Sequence, residues 1–277
     1  MTVLNNYYGE IPDGWSPRGG QTVSAFVSPD FSPGGSSTGS AVGLSAGFCA
    51  AAIGCETCGS IVSWLRGIQR CSAADVQVSP ARYAGLYAFK PSGGLVSNAG
   101  IIPISQRVDT AGPLGKSTWE VAALLDQMVA GSSESYITVV EQAIAKAGSP
   151  LRFGVPRKGF SASDIFEADP KYTPENRAQA DSIFASVVAA LQGLIVKDPV
   201  DIPDPDPKWR DADDEPYKDS PWVLEQTRRM LRTEFYEGIN GHLASRVGGT
   251  VRSLADLVKW NDEHPVNDNR LDDPSLS

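Results

Sequence analysis

General bases are scarce in this sequence. Its 277 residues hold two histidines, His242 and His264, and no lysine before Lys90. A Ser-His-Asp centre needs a histidine as base, and both histidines fall in polar, helix-patterned sequence towards the C-terminal end. Zinc at the formal C-x-x-C of Cys55-Glu56-Thr57-Cys58 would need two further ligands at matching spacing, and neither histidine is near in sequence. No apolar run is long enough to span a membrane, and Met1-Thr2-Val3-Leu4-Asn5 lacks the basic start and apolar stretch of a secretory signal, so a cytoplasmic protein is expected. A net charge of −9 leaves no basic excess for phosphate, which excludes nucleic acid and anionic membrane surfaces as partners. Internal repeats and nucleotide-binding motifs are also missing, and neither metal nor organic cofactor is expected.

What is present fits a globular enzyme. The 41% hydrophobic and 21% charged fractions are ordinary values, and the length allows one or two domains with a sizeable core. Two glycine-rich segments stand out, Gly34-Gly35-Ser36-Ser37-Thr38-Gly39-Ser40 and Gly54-Cys55-Glu56-Thr57-Cys58-Gly59-Ser60, with Ser60 lying 24 residues after Ser36. Both read as turns, and the small residues from Ser40 to Ala52 between them read as a helix. Glycine lets a backbone turn its N–H groups towards one point. Such amides can hold the oxyanion of an acyl-transfer intermediate while a serine attacks. The G-x-S-x-G matches at Gly35-Ser36-Ser37-Thr38-Gly39 and Gly43-Leu44-Ser45-Ala46-Gly47 lack the strand that a nucleophile elbow needs before it and read as chance.

Further along, Ser117-Thr118-Trp119-Glu120 is a capping box. It opens a helix with Val121, Leu124, Leu125 and Met128 on one face and Gly131 as its stop. Leu151 to Pro156 reads as a short strand. Thr173-Pro174 starts a helix with Ala180, Ile183, Phe184, Val187, Val188 and Leu191 at core spacing, and Leu194-Ile195-Val196 follows as a strand, giving α/β alternation. Residues 198–221 are a solvated acidic loop dense in aspartate and proline. Helices are expected over Val223–Arg246 and Ser253–Asn261.

The two serine segments, together with Ala84-Gly85-Leu86-Tyr87-Ala88-Phe89-Lys90-Pro91, Gly94-Leu95-Val96-Ser97, Gly100-Ile101-Ile102-Pro103-Ile104-Ser105 and Asp109-Thr110-Ala111-Gly112-Pro113, resemble the amidase signature family, hydrolases with a Ser–cis-Ser–Lys triad. The resemblance implies an α/β fold with a mixed sheet flanked by helices. The signature core would span about residues 30–131 of a partial domain covering 1–277, shortened at both ends. It implies hydrolysis of a small-molecule carboxamide through an acyl-serine intermediate, with Ser60 as nucleophile, Ser36 as cis-serine and Ser37 in support. The N–H groups of Thr57, Cys58, Gly59 and Ser60 would cradle the oxyanion. The family carries threonine and a small or acidic residue just before its nucleophile, so the cysteines here read as small-residue filling. A homodimer and an amidotransferase-subunit role both stay open.

The sequence departs from the family twice. The triad lysine should precede the cis-serine, yet the only basic residue within 1–35 is Arg18, which stays protonated and cannot act as a base. Residues 63–78 interrupt the string after Ser60. They read as an atypical insertion, and as a translated intron, since removing them joins Gly59-Ser60-Ile61-Val62 to Ser79-Pro80-Ala81 in a family-like run. The alternative to an amide hydrolase is therefore a catalytically inactive fragment or truncated gene product.

Overall fold

The computed structural model describes residues 14–16, 19–26, 33–57, 80–131, 135–146, 152–155, 173–191, 194–200 and 221–264, the side chains of 176, 177, 195, 196 and 221–228 excepted. In chain order the elements are β1 (Trp15–Ser16), β2 (Gly20–Gln21), α1 (Thr38–Ser45), β3 (Ala52–Glu56), α2 (Pro80–Tyr83), β4 (Tyr87–Ala88), β5 (Thr110–Gly115), α3 (Thr118–Met128) and α4 (Tyr136–Ala145). Then come β6 (Arg152–Gly154), α5 (Pro174–Ala190), β7 (Ile195–Lys197), α6 (Pro221–Ser245) and α7 (Leu254–Glu263). The chain divides into two compact units, Met1–Val140 with Asp219–Ser277, and Glu141–Lys218. The α/β class is as expected, with antiparallel and parallel pairings both present. No helix among the described residues is long and apolar enough to cross a membrane.

The first unit is organised by β5, which pairs antiparallel with β3 on one side and β4 on the other. All six β5 residues are buried. Side chains alternate across a strand, so Leu114 and Ala111 face opposite ways. Leu114 packs with Ala41 and Leu44 of α1 and with Ala81 and Ala84. Ala111 packs with Val96 and with Leu125 and Val129 at the end of α3. Thr38, Ala41 and Leu44 recur every three residues on the buried side of α1, and the small residues between them keep that helix close to the sheet.

Helix α3 opens on the expected capping box, with Ser117 accepting from Glu120 N–H while Glu120 takes the Ser117 N–H. Val121 and Leu125 of its predicted face are buried, and Leu124 and Met128 are half-buried. Asp126 of α3 caps the next helix from outside, accepting from the Ser135 hydroxyl and from the N–H groups of Tyr136 and Ile137. Helix α6 buries Leu231, Ile239 and Leu243. A side chain at Gly238 would come within 3.0 Å of the Pro103 ring, so the glycine permits the helix to close on that loop. Ser253 caps α7.

In the second unit β6 and β7 pair in parallel, with α5 between them in sequence. Here the structure corrects the sequence reading: Ile183 and Val187 of the expected core stripe are 60% and 52% exposed. Two further corrections concern the serine region. The helix expected from Ser40 to Ala52 runs from Thr38 to Ser45 and stops where Gly47 takes φ +85°, a left-handed conformation that ends helices. Gly54-Cys55-Glu56, expected in a turn, lies inside β3, because pairing with β5 supplies the order that local preference does not. Helix α6 begins at Pro221, the last residue assigned to the acidic loop. The 63–78 segment lies outside the described residues.

Candidate active site

Strand β3 is an edge of its sheet among the described residues, and an open edge presents unpaired N–H and C=O groups. Two serines of the α1 start meet that edge. The Ser37 hydroxyl donates to the Cys55 carbonyl and accepts from the Cys55 N–H, both at 3.1 Å. One turn on, Ser40 donates to the Ile53 carbonyl at 2.8 Å. Ser37 stands at the N-cap position of α1, where serine ordinarily caps its own helix, yet it makes no capping bond. Its hydroxyl is spent on β3 instead. The loop that carries Ser36 is thereby fixed against the strand that leads towards Ser60.

The loop itself is tight. Gly34 has φ +75°, and the Gly35–Ser36 peptide bond is cis, the geometry that the resemblance implies at this position. The Thr38 hydroxyl, fully buried, donates back to the Gly34 carbonyl.

Ser36 lines a cavity of about 240 Å³ together with Cys55, Glu56, Thr57 and Asp109. Its apolar wall comes from Ile101, Ile102, Ile104 and Phe235. Buried polar groups crowd this region: Glu56 is 4% exposed, Ser37 7% and Asp109 8%. Asp109 holds the end of β3 in place, its carboxylate accepting from the Thr57 hydroxyl at 2.6 Å and from the N–H groups of Ile104 and Ser105 at 2.7 and 2.8 Å. Asn98, also on the cavity wall, donates its side-chain amide to the Asp109 carbonyl at 2.8 Å. Burial first, and then the negative charge of Asp109, push the Cys55 thiol above its ordinary pKa. A raised pKa keeps the sulfur protonated and so a poor nucleophile.

Of the residues singled out in the sequence, Ser36 and Thr57 line one cavity, and Ser37 bonds Cys55 of its wall. Cys58, Gly59 and Ser60 lie outside the described residues. Sequence reasoning missed Asp109 as a site residue although it opens one of the family-like strings. It also missed Phe235 and its neighbour Glu234, which no local pattern marks.

Residues 10–178 match the family profile described as Amidase. An Arabidopsis thaliana protein named as a probable amidase is 28% identical over 253 residues, covering 91% of this chain and 42% of that protein. A glutamyl-tRNA(Gln) amidotransferase subunit of Hahella chejuensis is 32% identical over 164 residues, 57% of this chain and 28% of its own length. Among solved structures, the native peptide amidase of Stenotrophomonas maltophilia superposes with a TM-score of 0.62 at 28% identity, covering 94% of this chain and 46% of that one. The chain thus spans less than half the length of these relatives. With the profile matched over more than half of its residues, the chain belongs to the amidase family.

Proposed function

We propose that the cavity beside β3 is an acyl-transfer site for a carboxamide. Ser60 Oγ attacks the carbonyl carbon and passes its proton to Ser36 Oγ, whose own proton goes through water to the departing nitrogen. The carbonyl oxygen, now an oxyanion, is taken by the N–H groups of Thr57, Cys58, Gly59 and Ser60. The C–N bond breaks, the amine leaves with a proton, and water hydrolyses the acyl-serine. Ser37 supports the pair. The reaction as written uses serine hydroxyls and backbone amides and calls for no metal or organic cofactor. The observation that carries this reading is the two-way bond between the Ser37 hydroxyl and Cys55, which fastens the Ser36 loop to the strand running towards Ser60. The name of the solved peptide amidase puts peptide amides first among substrates to try, in a cytoplasmic setting.

A second reading, of a chain that folds without turnover, is favoured by one observation: within these 277 residues no lysine precedes Lys90. A positioned acid–base group contributes about 10²–10⁴-fold, so the 277-residue chain should hydrolyse amides more slowly by that order than an enzyme with the full triad. The test is the purified chain on a panel of peptide, aryl and aliphatic amides beside Ser60→Ala. Slow hydrolysis lost in the variant supports the acyl-transfer reading. No hydrolysis by either protein supports the second. Fast hydrolysis lost in the variant means a base other than lysine serves Ser60.

A further inference from the structure

The last ladder pair between β3 and β5 is Glu56 with Thr110. One step beyond, the two chains are joined by side chains instead: Thr57 Oγ1 donates to Asp109 Oδ1 at 2.6 Å across 52 residues of sequence. We propose that Asp109 is a positioning residue, holding Thr57 and so fixing the Thr57 N–H, the first of the four amides assigned to the oxyanion. This rests on the acyl-transfer reading above and adds to it the residue that sets the geometry.

Asp109 is suited to the task because it is itself immobilised. Its other carboxylate oxygen accepts from two successive amides, Ile104 at 2.7 Å and Ser105 at 2.8 Å. Its own N–H donates to the Ser105 carbonyl at 2.8 Å, closing the 105–109 turn, and its carbonyl takes the Asn98 amide. The turn is anchored in its turn by α6. The Ser105 hydroxyl, fully buried, donates to Glu234, and Glu234 pairs with Arg107 at 2.6 Å. A hydrogen bond to an ionised acceptor is shorter and roughly twice as strong as a neutral one. Thr57 is therefore tethered to a carboxylate that cannot follow it if it moves. Asp109 acts through geometry rather than charge, since a negative group beside a developing oxyanion would by itself oppose it. The three donors on its carboxylate take up that charge.

The test uses a p-nitrophenyl ester, whose leaving group needs no proton and which therefore reads oxyanion geometry in a chain without the triad lysine. Thr57→Val keeps the shape and removes the donor. It should lower kcat by about tenfold or more, as expected for a sub-ångström to ångström misplacement, with KM unchanged. Thr57→Ser should restore kcat. Asp109→Ala should lower kcat similarly and add little on top of Thr57→Val, because both changes cut the same link. Amide hydrogen exchange over residues 54–62 should quicken in Thr57→Val and Asp109→Ala alike. A fall in kcat for Thr57→Ser equal to that for Thr57→Val would overturn the proposal, as would additive losses in the double variant. Unchanged exchange over 54–62 in the single variants would overturn it whether or not the ester is turned over. Ester hydrolysis that survives Ser60→Ala would instead remove the acyl-transfer reading.

Discussion

Strand β5 lacks a regular apolar pattern and helix α5 has one, yet the structure buries the first and leaves much of the second exposed. Along β5 every residue is buried, with one core cluster on each face and a carboxylate network at its start. Along α5 the apolar stripe is half or more open to solvent at Ile183 and Val187. Burial of apolar area is what stabilises, so the element with the weaker pattern contributes more. Periodicity tells which residues share a face. Whether another element covers that face is a tertiary fact.

Truncating one buried residue of β5 and one exposed residue of α5 measures the difference. Leu114, with no exposed surface, should cost about 2–5 kcal/mol on Leu114→Ala through lost transfer energy and a residual cavity. Ile183→Ala should stay within about 0.5 kcal/mol, as surface changes do. Urea unfolding of both variants measures the two costs, and equal costs would show that α5 is covered after all. The smaller effect is one of pH. Removal of water around Asp126 raises its pKa, and the hydrogen bonds from Ser135, Tyr136 and Ile137 more than reverse this, holding it below the usual carboxylate range. A carboxyl whose pKa is lower folded than unfolded adds stability that is full above its unfolded value, about 3.9, and fades as pH falls through the folded one. Acidification below about pH 4 should therefore loosen the start of α4, and Asp126→Asn should flatten that part of the stability–pH curve. A variant with the wild-type slope would show that Asp126 contributes nothing to α4.

Where a local rule decides the structure, the sequence was readable. The Ser117–Glu120 capping box, Pro174 at the first turn of α5 and Ser253 before α7 all mark helix starts that the structure contains. Where partners come from afar, it was not. Gly112 and Pro113 break any strand pattern, and proline normally stays off central strands, yet both sit in β5, where the Pro113 carbonyl accepts from Phe89 N–H. Cys55 and Glu56 look like turn residues until β5 pairs with them. Ser36, Ser37 and Thr57 are singled out because they lie in contiguous motifs. Asp109 gains its meaning only from the β3–β5 pairing, and Glu234 reaches Ser105 across 129 residues, a separation that no window on the sequence spans.

Ser60 is proposed as the nucleophile of a site built by the Ser36 loop and the end of β3. Its most direct test is covalent trapping with a fluorophosphonate, followed by intact mass and peptide mapping. The account predicts slow addition of a single label, on the peptide containing Ser60, lost in Ser60→Ala and slowed further in Ser36→Ala. Label on another residue, or labelling of Ser60→Ala at the wild-type rate, would contradict it.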